Sequence, residues 1–139
     1  MSAINIETVV HRRQQRRFID LPWQIYASDT CWIPPLRRAQ EELLGFHPHP
    51  FYARNKTKSF LATRGGRDVG RITAIVNVGH IERYKENRGF FGFFECHDDL
   101  EAATQLFDAA RNWLADEGMS CLRGPANPSL NYECGLLIE

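Results

Sequence analysis

Residues 60–76 read FLATRGGRDVGRITAIV, two runs of strand-forming residues joined at Gly65 and Gly66. A charged Gly-Gly turn between apolar runs is a strong hairpin signal, because glycine adopts the positive φ values that a tight reversal needs. The stretch therefore predicts that residues 60–64 and 69–76 pair as antiparallel strands. Before it, the alternation of apolar and polar residues at 3–10 predicts a first strand.

The clearest elements after the hairpin are a strand and a helix. Residues 89–95 read GFFGFFE, which predicts a strand that is buried on both faces in the middle of a sheet. An acidic capping signal then runs from Asp98 to Glu101, with Asp98 as the expected N-cap. Apolar residues at helical spacing continue to Gly118, the expected stop. A short strand at 120–123 and a sharp turn at 124–128 follow.

Two helices are predicted before the hairpin. Residues 13–27 have helical spacing, and Pro22 predicts a kink or a break into two short helices. A second helix is expected at 35–44, with Pro35 in its first turn. The element order is β, α, α, β-hairpin, β, α, β. It predicts an α/β fold with a mixed, mostly antiparallel sheet and helices on both faces.

Composition limits the function classes. With 139 residues, 43% of them hydrophobic, the chain can form one globular domain. The 17 basic and 17 acidic residues cancel, so no overall field attracts nucleic acid or a membrane surface. The local basic group is interpreted as a solvated helix face and comprises Arg12, Arg13, Arg16 and Arg17. Without a membrane-spanning run or a signal-peptide layout, a cytoplasmic location is expected.

Neither the cysteines nor the histidines form a metal-binding motif. Cys31, Cys96, Cys121 and Cys134 are widely scattered and lie beside apolar or aromatic residues, so buried reduced thiols are favoured over disulfides or a metal site. His47 and His49 alternate with prolines. This pattern favours an extended, exposed connector over a metal site, and no metal is expected.

The order of elements resembles the GNAT fold of the acyl-CoA N-acyltransferase superfamily. Motifs narrow the resemblance to a little-characterised GNAT-like group: WIPPL at 32–36, VGRI at 69–72, GFFGFFE at 89–95, GPANPSLN at 124–131 and GLLI at 135–138. Members of that group are longer chains. The resemblance therefore implies a single GNAT-like domain over 1–139 that matches their N-terminal part and lacks the last strands of the fold.

This resemblance implies transfer of an acyl group from acetyl-CoA or another acyl-CoA to the amine of a small molecule or a protein. Backbone groups of the fourth strand, at Phe93, Phe94 and Cys96, would hold the thioester and cofactor arm. The helix start with Asp98 and Asp99 would meet the pyrophosphate. Tyr132 would protonate the leaving thiolate, and Glu95 is the second catalytic candidate. Asn127 and Asn131 complete the cofactor-binding candidates.

Each candidate also has a purely structural interpretation. Tyr132 suits a core or rim aromatic, Asn127 and Asn131 suit turn and cap residues, and Glu95 suits a charge at a strand end. His97 suits an exposed turn, although a base beside the strand end is the alternative.

The segment 95–102 departs from the GNAT pattern. Functional GNAT domains have a glycine-rich loop there, whereas this chain has ECHDDLEA, with no glycine and four carboxylates. Each carboxylate repels phosphate, and an N-cap aspartate occupies the N–H groups that pyrophosphate needs. Two classes therefore remain: an N-acyltransferase with an unusual cofactor site, and a non-catalytic GNAT-fold binding or structural module that has lost the pyrophosphate loop.

The end of the sequence leads to one more expectation. If a helix begins near Asn127, no residues remain for the strands of a GNAT acceptor site. The fifth strand would then have an unpaired edge, and Leu136, Leu137 and Ile138 would lack a partner surface. The 139-residue chain is thus expected to self-associate and to lack acetyltransferase activity.

Overall fold

A five-stranded sheet forms the centre of the molecule, for which the computed structural model describes residues 2–136. Its strands lie in the order β1-β2-β3-β4-β5, and all neighbours are antiparallel except β4 and β5. They are β1 Ile4–Thr8, β2 Lys56–Arg64, β3 Arg67–Val76, β4 Arg88–Cys96 and β5 Cys121–Arg123. A separate two-stranded hairpin joins β6 Ala126–Asn127 to β7 Glu133–Cys134. This architecture confirms the predicted fold class.

The predicted hairpin is the β2–β3 pair. Phe60 lies opposite Ile72, and the turn residues Gly65 and Gly66 have φ values of +56° and +79°. These are left-handed conformations that side chains with a Cβ rarely adopt, so the double glycine is what lets the two strands meet. The prediction that residues 60–64 and 69–76 pair antiparallel, with 90–94 in the same sheet, is confirmed.

Four helices accompany the sheet: α1 Arg12–Ile25, α2 Arg37–Leu43, α3 Val78–Tyr84 and α4 Leu100–Asp116. The expected break at Pro22 does not occur. Pro22 lies in the last turn of α1, and its carbonyl accepts from the Tyr26 N–H at 2.9 Å. Helix α3 was not predicted. The helix expected near Asn127 is also absent from residues 127–136, which form a turn and the β6–β7 hairpin instead.

The sheet separates two apolar clusters. On one face α4 packs against alternate strand residues, with Ile72 and Leu106 both fully buried. On the other face α1 contributes Phe18, which clusters with Leu61 and Phe93. Neighbouring residues of one strand thus serve opposite layers, as the period-two alternation of a strand requires.

Two predictions about individual residues are wrong. Asp99, not Asp98, is the N-cap of α4, because the backbone is still extended at Asp99 and its side chain accepts from the Ala102 N–H. The cysteines are free, as expected, but only Cys96 is partly buried, while Cys31, Cys121 and Cys134 are exposed.

The basic group of α1 is mostly exposed, as interpreted, with one exception. Arg17 makes ion pairs with Glu7 of β1 and Asp68 of β3, so it ties α1 to the sheet. Leu136 is 61% exposed, and Leu137 and Ile138 lie outside the described residues, so the expectation for this end of the sequence stays a prediction.

Candidate functional site

A β-bulge in β4 organises the candidate site. Arg71 of β3 lies opposite Glu95 and Thr73 lies opposite Gly92, so Phe93 and Phe94 share the single position facing Ile72. Phe93 has a φ of +53°, a left-handed conformation that is uncommon for a residue with a Cβ. The additional residue interrupts the regular ladder, as bulges beside functional sites often do.

The bulge decides which way Glu95 points. Phe91 and Phe94 both pack against Phe107 of α4, with ring centroids 5.0 and 4.9 Å away, although they are three residues apart. In a regular strand, residues an odd number apart face opposite sides. The bulge therefore reverses the alternation and places Glu95 on the α1 face of the sheet.

Glu95 lines a cleft of about 560 Å³. Its walls come from the last turns of α1, the segment 29–35, the end of β4 and the β6–β7 hairpin. The polar groups around it are Tyr26, Asp29, Arg71, Glu95, Asn127 and Glu133, and apolar groups include Trp32, Ile33, Phe94 and Leu136. A cleft of this volume, largely apolar with a few polar groups, has the character of a small-molecule site.

Tyr26 and Glu95 are joined by a short hydrogen bond within the cleft. The Tyr26 hydroxyl donates to Glu95 Oε2 at 2.6 Å, across 69 positions of sequence. Burial, together with this bond to a carboxylate, raises the pKa of Tyr26 to about 12. The Tyr26 ring stacks on Trp32 with centroids 5.2 Å apart. The phenol is thus held neutral, as a donor, in a fixed orientation.

Arg71 is a buried cation beside this pair. Its residue exposure is 5%, its Nη1 donates to the Phe18 carbonyl at 2.6 Å, and its guanidinium lies 4.8 Å from the centroid of the Phe18 ring. Nε is buried and has no hydrogen-bond partner among the described residues. Burial lowers the pKa of Arg71 to about 10, against the opposing effect of the Glu95 charge.

Asn127 closes the cleft against the bulge. The Phe93 N–H donates to Asn127 Oδ1 at 2.7 Å, and Asn127 Nδ2 donates to Glu133 at 3.4 Å. The backbone of β6 can come this close because residue 92 is glycine. A Cβ at Gly92 would lie 1.8 Å from the Ala126 carbonyl oxygen.

The first turn of α4 lies on the opposite face of the sheet and is occupied by side chains. Asp99 Oδ1 accepts from the Ala102 N–H at 3.0 Å. Arg64 donates two hydrogen bonds to the same carboxylate, at 2.8 and 3.0 Å, and also forms an ion pair with Glu101. The pKa of Asp99 is lowered to about 2, chiefly by the hydrogen bonds from Arg64 and to a smaller extent by the one from the Ala102 N–H.

The structure brings together some of the residues predicted from the sequence. Phe93, Phe94, Glu95 and Asn127 meet in the cleft, although Phe93 and Asn127 bond to each other. Cys96 faces the α4 side, where burial raises the pKa of its thiol to about 11.

Besides Cys96, four predicted residues lie outside the cleft. Asp98 is exposed, and Asp99 caps α4. Asn131 is exposed, and Tyr132 is 45% exposed with its ring edge-on to His49 at 5.4 Å.

Sequence reasoning missed Tyr26, Arg71 and Glu133. Tyr26 lies within the helix predicted at 13–27 and Arg71 within the VGRI motif at 69–72, and neither pattern signals a partner far along the chain. Within residues 2–136, no group of three or more His, Cys, Asp and Glu side chains is arranged to hold a metal ion. No helix in the same range has the length and apolar character needed to cross a bilayer.

No family model matches the chain. Two curated relatives are similar in sequence. A protein called bacterial ceramide synthase, from Caulobacter vibrioides, is 39% identical over 140 residues, covering 99% of this chain and 35% of the relative. Protein YghO of Escherichia coli is 36% identical over 134 residues, covering 96% of this chain and 34% of the relative. The chain spans about a third of the length of these two relatives.

Solved structures similar to this one are GNAT proteins. A tandem GNAT protein from the clavulanic acid biosynthesis pathway matches with a TM-score of 0.63 at 16% identity, over 89% of this chain and 39% of that one. An aminoglycoside acetyltransferase from an uncultured soil metagenomic sample, in complex with sisomicin, matches with a TM-score of 0.60 at 13% identity, over 88% and 77% of the two chains. The described residues therefore have the GNAT fold, as the resemblance of the sequence implied.

Proposed function

We propose that this chain takes part in N-acyl transfer from an acyl-CoA to the amine of a small molecule, with Glu95 as the general base. The observation that carries the proposal is the position of Glu95. Its carboxylate is turned by the bulge into a cleft and oriented there by the Tyr26 hydroxyl at 2.6 Å. A positioned carboxylate within reach of a substrate amine is suited to proton abstraction.

The proposed reaction forms one bond and breaks one. The amine nitrogen attacks the thioester carbonyl, the N–C bond forms and the C–S bond breaks, while a proton of the amine passes to Glu95. CoA leaves as the thiolate and takes up one proton, and Glu95 returns the amine proton to solvent, so that the protons balance. Tyr26 stays protonated at neutral pH, since its pKa is raised to about 12, and can hold Glu95 in place throughout.

The acceptor is proposed to be an amine with a long apolar chain. The Caulobacter relative is called a ceramide synthase, and a ceramide is the amide of a fatty acid with a long-chain amino alcohol. The cleft supports such a molecule, because Ile33 and Leu136 line it and are 86% and 61% exposed. An apolar chain lying on these side chains would remove them from water.

A turnover assay tests this proposal. The 139 residues, which are expected from the sequence to be inactive alone, and a version extended to the length of the two relatives are each incubated with acetyl-CoA or a long-chain acyl-CoA and with a long-chain amino alcohol, an aminoglycoside or a lysine peptide. The amide is quantified by mass spectrometry. Glu95→Gln is expected to lower kcat/KM about 100-fold or more. Tyr26→Phe should lower it less, and Tyr132→Phe should be neutral if Tyr26 and Glu95 carry the chemistry. If Glu95→Gln leaves turnover unchanged, Glu95 is not the base.

The Tyr132 variant also tests the alternative acid. Tyr132 remains our sequence-based candidate for protonating the thiolate, although its ring packs outside the cleft against His49. If Tyr132→Phe lowers kcat as strongly as Glu95→Gln does, the tyrosine joins the site during turnover.

A second function, a non-catalytic binding or structural module, is favoured by the first turn of α4. Asp99 and Arg64 already satisfy each other where a GNAT enzyme would take pyrophosphate. Calorimetric titration with acetyl-CoA and a long-chain acyl-CoA separates the two functions. Saturable binding supports the acyltransferase, whereas no binding at millimolar ligand, together with no turnover, supports the module.

A further inference from the structure

We propose that a second cavity, of about 750 Å³, binds the phosphate end of a ligand. It lies between α3, the first half of β4, the end of β5 and the turn at 129–131. Its polar groups include His80, Arg83, Glu86, Arg123 and Asn131. The volume falls in the range of small-molecule sites.

Two arginines supply the positive charge of this cavity. Neither the Arg83 nor the Arg123 guanidinium has a hydrogen bond or ion pair with another residue in the described range 2–136. The Arg83 guanidinium lies over the Tyr84 ring, 5.7 Å from its centroid. The chain has no net charge, so this is a local concentration of cations. Guanidinium groups match the geometry of phosphate oxygens and bind them through paired N–H donors.

The acidic residue of the cavity does not cancel this charge. Glu86 is engaged on both oxygens, by His80 Nε2 at 3.0 Å and by Arg88 at 3.2 Å. The His80 side chain is only 12% exposed and packs between Tyr84 at 4.6 Å and Phe90 at 4.9 Å. The groups of the wall behind the arginines are therefore already paired, whereas the two arginines have no side-chain hydrogen bond or ion pair within residues 2–136.

The cavity and the cleft lie on the same face of the sheet. Phe90 lines the cavity and Glu95 lines the cleft. Because of the bulge between them, these two residues both face the side of the sheet on which β6 lies. Phe90 lies opposite Ile75 and Glu95 lies opposite Arg71, four positions apart on β3, so at about 3.3 Å per residue the two lie about 13 Å apart. The turn after β6 joins the two regions, since Asn127 lines the cleft and Asn131 the cavity.

A ligand with a phosphate in the cavity and a flexible arm of that length would reach Glu95. Two molecules have this chemistry, namely the nucleotide end of CoA and an acceptor that carries a phosphate. The phosphate site stands on the cavity alone and does not require acyl transfer. Failure of turnover would thus leave it intact.

The test is calorimetric titration of the 139-residue chain with inorganic pyrophosphate, CoA and pantetheine at low salt. Pyrophosphate is expected to bind saturably. Arg83→Ala and Arg123→Ala should each weaken it about tenfold, the loss of one charge-assisted contact. Arg67→Ala is the matched control, because Arg67 is an exposed arginine at the start of β3, and the pyrophosphate affinity of this variant should stay within about twofold of the parent's.

The outcomes separate the sources of the phosphate. If CoA competes with pyrophosphate and binds both cavity variants more weakly, the nucleotide end of CoA occupies the cavity. If CoA does not compete with bound pyrophosphate, the nucleotide end of CoA is excluded and a phosphate-bearing acceptor is the remaining source. Absence of pyrophosphate binding overturns the proposal, as does an equal loss in Arg67→Ala. Circular dichroism of each variant confirms that it is folded, and Arg83→Gln with Arg123→Gln repeats the test with more polar replacements.

Discussion

A polar cluster lies on each face of the sheet near the end of β4, and the two clusters differ in how fully their polar groups are hydrogen-bonded. On the α4 side, Asp99 is bonded by the Ala102 N–H and twice by Arg64, so the polar groups satisfy one another. On the α1 side, Arg71 is buried and its Nε has no partner among residues 2–136, and the Tyr26–Glu95 pair opens into the cleft. Buried polar groups without partners reduce stability, so they are informative where they occur. The comparison indicates that the first cluster holds the fold and the second is the place to look for a ligand.

The largest expected effect comes from the backbone contact that shapes the cleft. Gly92→Ala would place a Cβ 1.8 Å from the Ala126 carbonyl oxygen and 2.7 Å from Asn127 Oδ1. Backbone cannot yield as a flexible side chain can, so β6 must move away from β4. We expect the free energy of unfolding to fall by about 3 kcal/mol, measured by urea denaturation.

Gly79→Ala is the control for that substitution. Gly79 lies within helix α3, and a Cβ added there would have its nearest contact at an ordinary 3.5 Å, to Oδ1 of the N-cap residue Asn77. This variant should be neutral or more stable by up to about 1 kcal/mol. A Gly92→Ala protein as stable as the parent would show that β6 does not press on β4, and the cleft would lose one of its walls.

The next effect concerns the bulge itself. Asn127→Ala removes the acceptor for the Phe93 N–H, which a hydrogen bond of 2.7 Å now satisfies. Leaving this amide without a partner should cost about 1–2 kcal/mol of unfolding free energy. Asn131→Ala serves as the comparison, since exposed Asn131 has only its backbone N–H bonded, to Ser129. Equal stability of the two variants would contradict the role assigned to Asn127.

The parts of the fold that the sequence predicts well depend on local patterns. The β2–β3 hairpin follows from Gly65 and Gly66, and β4 follows from its aromatic run, because turn geometry and burial act within a few residues. Helix α3 was missed because it has only seven residues and contains Gly79, so no long apolar period marks it.

The cleft depends on contacts that no local pattern encodes. Tyr26 meets Glu95 from 69 positions away, and Arg71 donates to the carbonyl of Phe18 from 53 positions away. Glu95 itself was a candidate because it ends the strand, but its direction depends on the bulge at Phe93. An aromatic run gives no sign of one additional residue in the ladder, so the side of the sheet on which Glu95 acts could not be predicted.

A smaller effect should appear in the pH dependence of stability. The folded-state pKa of Asp99 is lowered to about 2 from an ordinary value of 3.8, chiefly by Arg64. Its charge therefore stabilises the fold above about pH 4, and this stabilisation is lost as the pH falls toward 2. Asp99→Asn keeps a capping side chain but removes the charge. We expect its Tm to lie a few degrees below that of the parent at pH 6 and to approach it at pH 2. A constant difference would mean that the charge does not stabilise α4.

The smallest expected effect distinguishes Asp98 from its neighbour. Asp98 is exposed, whereas Asp99 carries the cap and the Arg64 pair. Asp98→Ala should thus change the unfolding free energy by less than about 0.5 kcal/mol, while Asp99→Ala should lower it measurably. The same two variants test the cofactor question, because only Asp99→Ala frees the Ala102 N–H and Arg64 for an anion. Acetyl-CoA should bind Asp99→Ala more tightly than the parent and bind Asp98→Ala unchanged. If Asp98→Ala gives the larger gain, repulsion by an exposed charge, and not occupation of the helix start, is what opposes the cofactor.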